Sequence, residues 1–527
     1  MLSSNNRRQL LNGAPVAPVA PAKPATLAVL ALIAVTMIGR LLLAGTIGLG
    51  IDESYAAAVA LPFSASYFDH PPLVFWLAGA MESGGHRNSG LLLRLPFILL
   101  FAGTTWMMFR VTERSFGSRA GVYAALLLNI SPVMSVSSGG WVLPDGPLLF
   151  AIAATALSLS HLLLDEPAAV NRWWVALGCS VGVALLSKYH AVFLVAGALL
   201  FAVSSARGRS WFRTPRPYVA IAIAAVMGLP VLIWNAQHDW ASLRFQTGRA
   251  ALHAGNPLVA LLQNVGGQAG YLLPWIWLPL VCVLVANARR GPTDTMRWLL
   301  VCLGAGPVLF FTMIALGGRA GLPHWPAPGY LALFPLLGDM LSRGEQRGRI
   351  RLVRRYLAFS TIMFVGLMAF VATQTATGWF SRAEPQLFLR GDPSLDAVDW
   401  SGVRDSLRAR GLLDSSSVTV ARNWIEAGKL AYAIGPGARV VCLDDDARQF
   451  QFLSPHSALA RAPGMHVLVT RLRPGSRNLP PGFVPVGTIP VYRGGRPEIN
   501  LLVATRQWIS ERTSTPSRPT IDSPPAP

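Results

Sequence analysis

The sequence predicts an all-α polytopic membrane protein that carries a small α/β domain near its C-terminal end. Of the 527 residues, 52% are hydrophobic and only 13% are charged, whereas a soluble domain carries about 25% charged residues. The net charge of +20 would suit a nucleic-acid-binding protein, but the basic residues stand in short clusters between apolar runs. That distribution is typical of the positive-inside rule of membrane proteins, and it excludes the nucleic-acid interpretation.

Apolar runs of about 17 to 25 residues predict about eleven transmembrane helices. The predicted spans are 26–50, 90–111, 119–137, 147–164, 172–187, 190–206, 218–235, 269–288, 297–316, 326–341 and 355–375. The first run is too long for the core of a signal peptide and has no obvious cleavage site, so we expect it to remain as an anchor. Residues 1–25, which are polar and rich in Ala and Pro, predict a disordered cytoplasmic arm.

Arginines in alternate loops predict the orientation of the chain. The arginine-rich loops share one side with the N-terminus and hold Arg110, Arg114, Arg119, Arg172, Arg207, Arg209, Arg213, Arg216, Arg289, Arg290, Arg297, Arg343, Arg347, Arg349, Arg351, Arg354 and Arg355. Because cytoplasmic loops are rich in Lys and Arg, this side is expected to be cytoplasmic. The loops 52–86, 236–268 and 317–325, and also Asp145, then lie on the outer face.

The outer stretch 51–81, IDESYAAAVALPFSASYFDHPPLVFWLAGAM, is the main candidate for function. Carboxylates at the mouth of a membrane span cost free energy unless they are solvated or paired, so Asp52 and Glu53 are interpreted as functional. The alternative is that both acids merely cap a short interfacial helix. Capping does not account for Asp69 and His70, which follow in the same loop.

Three further charged residues have two interpretations each. Asp145 follows a tight turn and either delivers a carboxylate to the site or caps a helix that begins near Pro147; both can hold at once. Lys188 interrupts a nearly continuous apolar stretch, and Arg94 lies just inside the second span. Each of these cations either extends to the interface or neutralises an anion.

Two other outer loops could cover a cleft that faces the membrane. The loop after Trp234 holds Gln237, His238, Asp239, Arg244 and Arg249, and a second loop holds Arg319, His324 and Trp325. A lone histidine is more often structural than catalytic, so His238 and His324 keep both interpretations. The four cysteines show no CxxC spacing, which predicts neither a disulfide framework nor a metal site.

The composition changes near residue 376, and residues 376–512 predict a small outer α/β domain. Short β-prone runs lie at 418–420, 440–443 and 465–470, with a helical segment at 423–434. The acidic run 444–446 is either a metal or sugar contact or, more simply, a loop at a strand end. Residues 513–527 are rich in Ser, Thr and Pro and predict a disordered tail.

Several motifs together resemble one family, the membrane glycosyltransferases that use polyprenyl-phosphate sugars. The motifs are the acidic pair at 52–53, YFDHPPL (67–73), LLRLPFILL (92–100), WVLPDGPLLF (141–150), LLSKYHAVF (185–193) and PVLIWNAQHDW (230–240). This family includes the protein O-mannosyltransferases and the bacterial enzymes that add aminoarabinose or galacturonic acid to lipid A. The resemblance covers the first half of the chain and implies the GT-C type of membrane fold and an inverting transfer.

The resemblance also implies roles for the candidate residues. Asp52 would be the base and Asp145 the second acid, with Glu53 beside them. The donor phosphate would be bound by Lys188, with Arg244, Arg319 or Arg94. The remaining candidates would line the substrate cleft: Tyr67, Asp69, His70, His238, Asp239 and His324. Some relatives use a divalent metal, but the sequence shows no ligand set, so no metal or cofactor is expected.

The expected partners are a polyprenyl-phosphate-sugar donor, membrane lipids and an envelope acceptor, which could be lipid A or lipopolysaccharide, another glycan, a lipid or a protein hydroxyl. The chain would act in the bacterial inner membrane, with its N-terminus cytoplasmic and residues 376–512 periplasmic. The rival interpretation is a lipid or sugar transporter or flippase, although transporters usually place ionisable residues near the midplane and show repeated halves. A third is a non-catalytic partner in an envelope assembly.

Overall fold

A computed structural model describes residues 23–84, 89–166, 171–250, 255–389, 391–414, 416–457, 459, 464–472 and 478–508. The chain divides into two units between Asp399 and Trp400, whereas the sequence predicts a boundary after residue 375. Within the first unit, the Gln374 amide donates to Asp392 Oδ2 (3.0 Å) and Ser394 Oγ (3.3 Å). Most of the predicted N-terminal arm, residues 1–22, and the predicted tail, residues 513–527, lie outside the described residues.

The first unit is built of α-helices joined by turns and short loops. In chain order they are α1 (Lys23–Thr46), α2 (Ile51–Val59), α3 (Leu73–Ser83), α4 (Gly90–Phe116), α5 (Ser118–Asn129), α6 (Asp145–Leu164), α7 (Asn171–Ser187), α8 (Ala191–Ser204), α9 (Ala206–Trp211), α10 (Arg216–Gln237), α11 (Ala241–Ala250), α12 (Pro257–Leu272), α13 (Pro274–Ala288), α14 (Thr295–Ile314), α15 (Ala327–Leu331), α16 (Phe334–Gly344), α17 (Ile350–Thr377) and α18 (Trp379–Ala383). Two π-helical turns lie at Val133–Ser137 and Glu345–Arg349. Short 3₁₀ turns lie at Gly291–Thr293, Ala315–Gly317, Pro385–Phe388 and Pro393–Ala397.

Six segments of the described chain are long and apolar enough to cross a membrane. They are Lys23–Thr46, Gly90–Phe116, Asp145–Leu164, Arg216–Gln237, Thr295–Gly317 and Ala327–Thr377. The pair α12 and α13 is a seventh candidate, which bends by 109° at Leu273. The bend divides the predicted span 269–288, because Pro274 begins α13 and has no N–H to donate to the preceding turn. The chain is a multi-pass membrane protein, and the count of about eleven spans stays a prediction.

Glycines let the helices of the first unit approach one another closely. A Cβ on Gly338 of α16 would lie 2.3 Å from the carbonyl oxygen of Ala120 in α5. A Cβ on Gly329 of α15 would lie 2.4 Å from the carbonyl oxygen of Gly304 in α14. Lipid is as apolar as the helices, so close backbone packing supplies much of the attraction between them. A side chain at either glycine would push these two helix pairs apart.

A chain of buried hydrogen bonds joins α13, α15 and α12. Trp277 Nε1 donates to the Tyr330 hydroxyl (2.8 Å), which donates to Gln268 Oε1 (2.6 Å). Gln268 Nε2 donates to Asn264 Oδ1 (2.6 Å), and Asn264 Nδ2 donates to the carbonyl oxygen of Ala320 (2.6 Å). Each of these interior polar side chains therefore has a partner, as buried polar groups require. The hydrogen-bond chain ends in the loop between α14 and α15.

The second unit contains a five-stranded sheet with the order β2-β1-β3-β5-β4. Its elements are α19 (Gly402–Ala409), β1 (Val418–Ala421), α20 (Trp424–Ile434), β2 (Val440–Cys442), α21 (Phe450–Leu453), β3 (Gly464–Arg471), β4 (Val484–Arg493) and β5 (Arg496–Trp508). Strands β2, β1 and β3 are parallel, whereas β3 and β4 each pair antiparallel with β5. The three predicted strands and the predicted helix at 423–434 are confirmed as β1, β2, β3 and α20.

The hairpin of β4 and β5 was not predicted from the sequence. Strand β4 contains Pro485, Gly487 and Pro490, which argue against a strand interior because proline cannot donate to the ladder. Among the described strands β4 pairs only with β5, so it lies at the sheet edge, where proline is tolerated. The register also shifts between Pro485 and Gly487. The acidic run 444–446 lies exposed after β2.

Candidate active site

The two acids that open α2 have opposite environments. Glu53 is buried, whereas Asp52 is exposed. Adjacent side chains on an α-helix point about 100° apart, so one acid faces the protein while the other faces outward. Glu53 Oε1 accepts from Arg94 Nε (2.7 Å) and from the backbone N–H of Val142 (3.1 Å). Glu53 Oε2 accepts from Arg94 Nη2 (2.6 Å) and from the N–H of Gly50 (2.8 Å).

Arg94 is saturated with hydrogen bonds inside the protein. Besides its two bonds to Glu53, its guanidinium donates to three backbone carbonyl oxygens, those of Ala44 (3.2 Å), Ile47 (2.8 Å) and Gly48 (2.9 Å). A guanidinium has five N–H donors, and all five are used here. This geometry favours a structural role for Arg94, which holds the end of α1 against α2, over the predicted role in binding the donor phosphate.

The same geometry gives Glu53 a structural role. Burial alone would raise the pKa of Glu53, but the charge of Arg94 and the hydrogen bonds from Arg94, Gly50 and Val142 outweigh it and lower the pKa below its ordinary value. An ionised carboxylate held by four donors is not available to take a proton from an acceptor. Of the two acids, Asp52 is therefore the better candidate for a base.

Asp145 and Lys188 form a second buried ion pair. Lys188 Nζ lies 2.9 Å from Asp145 Oδ1 and 2.8 Å from Asp145 Oδ2, and both side chains are less than a tenth exposed. Asp145 is the first residue of α6, and Lys188 follows the last residue of α7. His190 and His324 also act electrostatically on Asp145. The structure thus brings together two predicted residues that lie 43 positions apart in the sequence.

His190 was missed in the sequence analysis, although it belongs to the Ser-Lys-Tyr-His run in which Lys188 was identified. Its ring interacts electrostatically with Lys188, Asp145, His70 and His324. His190 and His324 therefore interact electrostatically with Asp145, and His70 interacts with His190. The signal that could have identified His190 is its position two residues after an unusual lysine, at the start of an apolar helix.

Residues 67–70 pack against α11. Ser242 Oγ donates to the carbonyl oxygen of Tyr67 (3.0 Å), and Gln246 Nε2 donates to that of Asp69 (2.6 Å). The side chain of Asp69 accepts from the hydroxyl of Tyr55 (2.9 Å). Asp69 is buried and His70 is half-buried, so this loop is held rigidly from both sides.

Tyr67, predicted in the substrate cleft, is buried and packs within the loop. Its hydroxyl donates to the carbonyl oxygen of Ala60 (3.0 Å), and its ring stacks on Phe75 with centroids 4.1 Å apart. Burial raises the pKa of Tyr67 to about 12. These contacts favour a role in shaping the loop over direct contact with a substrate.

The predicted residues of the other outer loops have mixed surroundings. His238 stacks on Trp234, with centroids 4.0 Å apart, and its Nδ1 lies 2.8 Å from the carbonyl oxygen of Trp234. Asp239 and Arg244 are exposed, and Arg319 is half-buried. His238 is thus bonded locally, while His324 joins the group around Asp145.

The charged side chains held at this site limit the chemistry that it can perform. Within the described ranges, no group of three or more His, Cys, Asp or Glu side chains could hold a metal ion. The bond from Val142 to Glu53 ties the segment before Asp145 to α2, which carries Asp52. The arrangement supplies an exposed carboxylate, a buried lysine and imidazole nitrogens, which together suit proton transfer beside an anionic group.

Known proteins resemble this chain in sequence and in fold. The family of dolichyl-phosphate-mannose-protein mannosyltransferases matches residues 69–234. Lipid A galacturonosyltransferase RgtD of Rhizobium johnstonii is 27% identical over 54% of this chain and 58% of its own length. Lipopolysaccharide core galacturonosyltransferase RgtB of the same organism is 24% identical over 67% of this chain and 76% of its own. This chain therefore spans little more than half the length of RgtD.

Solved structures of ArnT from Cupriavidus metallidurans share the fold. The apo structure has a TM-score of 0.62 at 16% identity, and the structure bound to undecaprenyl phosphate has a TM-score of 0.60 at 15% identity. Each likeness covers 92% of this chain and 98% of the ArnT chain. The chain therefore has the fold of the ArnT structures, and its sequence is similar to those of the two galacturonosyltransferases.

Proposed function

We propose that this chain transfers a sugar, with inversion, from a polyprenyl-phosphate donor to a hydroxyl group of an envelope acceptor. The observation that carries the proposal is the buried Asp145–Lys188 pair, whose acid interacts electrostatically with His190 and His324. The segment before this pair is tied through Val142 and Glu53 to the helix that presents Asp52. Such a group offers a base for the acceptor and fixed donors for a departing phosphate. Both are needed when a hydroxyl attacks an anomeric carbon.

The reaction needs a base for the acceptor hydroxyl and a hydrogen-bond donor for the departing phosphate. The acceptor oxygen attacks the anomeric carbon from the face opposite the phosphate and forms the new glycosidic bond. The bond between that carbon and the phosphate oxygen breaks, and its electron pair leaves with the phosphate. Asp52 takes the proton of the acceptor hydroxyl. Lys188 has three N–H donors, of which two serve Asp145, and the third is directed to the phosphate.

The relatives narrow the choice of donor and acceptor. RgtD and RgtB are named for the transfer of galacturonic acid to lipid A and to the lipopolysaccharide core, and one ArnT structure holds undecaprenyl phosphate. We therefore take a polyprenyl-phosphate-linked hexuronic acid as the first donor to test. Lipid A or the lipopolysaccharide core is the corresponding acceptor.

The proposed location is the outer face of the bacterial inner membrane. Asp145 begins α6 and Arg94 lies in the first turns of α4, whereas Arg114 lies in the last turn of α4. The arginine-rich end of these helices is the cytoplasmic one by the positive-inside rule. Alkaline phosphatase fused after Gln246 should be active, and phosphatase fused after Arg349 inactive. The reverse pattern would overturn this orientation.

The deciding experiment is transfer by the purified chain. The protein in detergent is given undecaprenyl phosphate that carries galacturonic acid, together with lipid A, and the product is identified by mass spectrometry. The expected product is lipid A heavier by one hexuronic acid residue, formed by the wild type and not by Asp52→Asn. A transporter or flippase would instead move the donor lipid across a vesicle membrane and form no new covalent product.

A further inference from the structure

His190 lies in an aromatic environment at the edge of the Asp145–Lys188 pair. Its ring stacks on Phe311 of α14, with centroids 4.9 Å apart and planes inclined by 23°. Trp325 and Phe193 meet the ring edge-on, with centroids 6.4 and 6.3 Å away. Three aromatic side chains therefore fix the plane of the imidazole, so its nitrogens have defined directions.

The Nε2 atom of His190 is buried, and no hydrogen-bond partner is found for it among the residues that the structure describes. A buried nitrogen without a partner costs free energy, because it has given up its bonds to water. Nearly all buried polar groups in native proteins are paired, so an exception requires an explanation. A ligand oxygen that completes the bond is an explanation that suits a site already rich in fixed charge.

The surroundings of His190 point to an anionic ligand that carries an apolar chain. Lys188 acts electrostatically on the ring, as do Asp145, His70 and His324. The ring also stands where α8 begins, and Val192 of that helix is 58% exposed. Phe310, which adjoins Phe311, is 43% exposed. In a membrane protein such exposed apolar side chains can face lipid tails, which are as apolar as leucine. Apolar surface therefore lies next in sequence both to the His190 region and to its stacking partner Phe311.

We propose that His190 Nε2 donates a hydrogen bond to a phosphate oxygen of the polyprenyl-linked donor. The lipid chain of the donor would then lie along the apolar surface near Val192 and Phe310. This assignment deepens the proposed function and rests on it. The phosphate gains negative charge as its bond to the sugar breaks, and a fixed donor is therefore worth more in the transition state than in the bound donor.

The test compares two substitutions that separate packing from hydrogen bonding. His190→Phe keeps an aromatic ring against Phe311 and removes the N–H. His190→Gln keeps an N–H donor and removes the ring. Loss of one fixed donor of this kind typically lowers turnover about 100-fold to 1,000-fold. We expect that loss in His190→Phe, with little change in the Michaelis constant for the acceptor, and a recovery of at least about 10-fold in His190→Gln.

A matched control lies at the other end of α6. His161 also stacks on an aromatic ring, that of Trp173, with centroids 3.6 Å apart, but it lies in the last turn of α6, far from Asp145. His161→Phe should retain the turnover of the wild type when activity is scaled to folded protein. Equal losses in His161→Phe and His190→Phe would show a general effect of histidine removal and would overturn the proposal.

A binding measurement without sugar separates this inference from the proposed function. Undecaprenyl phosphate alone should raise the melting temperature of the wild type. A hydrogen bond to a charged group is worth about 10-fold or more in affinity, so His190→Phe should need about 10-fold more lipid for the same shift. Unchanged binding and turnover in His190→Phe would overturn the inference. A second result would also overturn it: His190→Phe loses turnover but binds the lipid normally, and His190→Gln does not restore turnover.

Two outcomes keep the hypotheses apart. If the wild type forms no glycosylated product but His190→Phe still weakens the binding of undecaprenyl phosphate, the proposed transfer fails and the phosphate contact stands. If transfer is observed and His190→Phe behaves as the wild type, the contact fails and the transfer stands. Should His190→Phe not fold, His190→Met, which also lacks an N–H donor, decides the question by the same two measurements.

Discussion

The two ends of helices α4 and α6 carry ion pairs of very different kinds. At the end where α6 begins, Glu53 pairs with Arg94 and Asp145 pairs with Lys188, and all four side chains are at most 6% exposed. Each pair joins separate elements of the fold. In a low-dielectric interior the removal of one partner leaves an uncompensated charge, which costs about 3–5 kcal/mol.

At the opposite end the pairs are wetter and richer in arginine. Arg114 pairs with Asp165, and each is still 13–15% exposed. Arg119 reaches Glu345 at 2.8 Å, although the Arg119 side chain is 64% exposed. A pair with one partner as exposed as Arg119 contributes about 0–1 kcal/mol. The comparison teaches that the number of ion pairs is a poor measure of how strongly these helices are stabilised. The burial of each pair decides how much it contributes to the free energy of unfolding.

The largest effect is expected from the exposed acid at the buried end. Asp52→Asn keeps the shape of the side chain but removes its basicity, so turnover should fall about 10²-fold to 10⁴-fold. The assay is transfer from a purified polyprenyl-phosphate sugar, with the melting temperature and the binding of undecaprenyl phosphate measured in parallel. Both of these should remain near the wild-type values. Near-normal turnover in folded Asp52→Asn would remove Asp52 from the mechanism and leave Asp145 as the next candidate.

Glu53→Gln should act on stability, in contrast with its neighbour. The amide leaves the Arg94 guanidinium buried without a counter-ion, and the unfolding free energy should fall by about 3–5 kcal/mol. The measurement is thermal or denaturant unfolding in detergent, with Asp52→Asn as the matched control one residue away. A Glu53→Gln protein as stable as the wild type but inactive would reverse the roles of the two acids.

The stabilisation by Glu53 should depend on pH. Its pKa in the folded protein lies below the ordinary value, which is about 4.3 for an unperturbed glutamate. The stabilisation is therefore fully present above about pH 4.3 and is lost as the pH falls through the lower folded pKa. The difference in melting temperature between the wild type and Glu53→Gln should shrink on going from pH 7 to below pH 4. A difference that stays constant would contradict the depressed pKa.

The smallest effect is expected at the wet end. Arg119→Ala removes an exposed partner of Glu345, and the unfolding free energy should change by less than about 1 kcal/mol. Unfolding under the conditions used for Glu53→Gln gives the direct comparison. A loss as large as that of Glu53→Gln would break the contrast between the two ends, and it would mean that Arg119 is buried in the protein as it exists in the membrane.

Hydropathy was sufficient to place most of the helices, because long apolar runs have few other stable forms in lipid. It could not show the bend at Leu273, since the residues on both sides are apolar and the composition does not change there. The hairpin of β4 and β5 was missed because its local sequence gives a misleading signal. Its prolines contradict a strand locally, and only its position at the sheet edge makes them acceptable.

The candidate site was predictable in its members but not in its pairings. Charge in an apolar context identified Asp52, Glu53, Asp145, Lys188 and Arg94. Helix geometry indicates that adjacent acids must diverge, but not which of them turns inward. The partner of Glu53 is 41 residues away and that of Asp145 is 43 residues away, and such distances are set by tertiary packing. His190 was not identified as a site residue because the neighbouring lysine in an apolar run was the more unusual feature of the sequence.

The buried hydrogen bonds that run from Trp277 through Tyr330, Gln268 and Asn264 should constrain how the sequence can change during evolution. Each side chain both orients its neighbour and depends on it, since each donor in the series has an acceptor within the protein. A change at one position leaves the next amide or hydroxyl facing the wrong kind of atom. Homologous sequences should therefore keep these four residues together or replace them together. Homologues in which only one of the four is substituted should be rare.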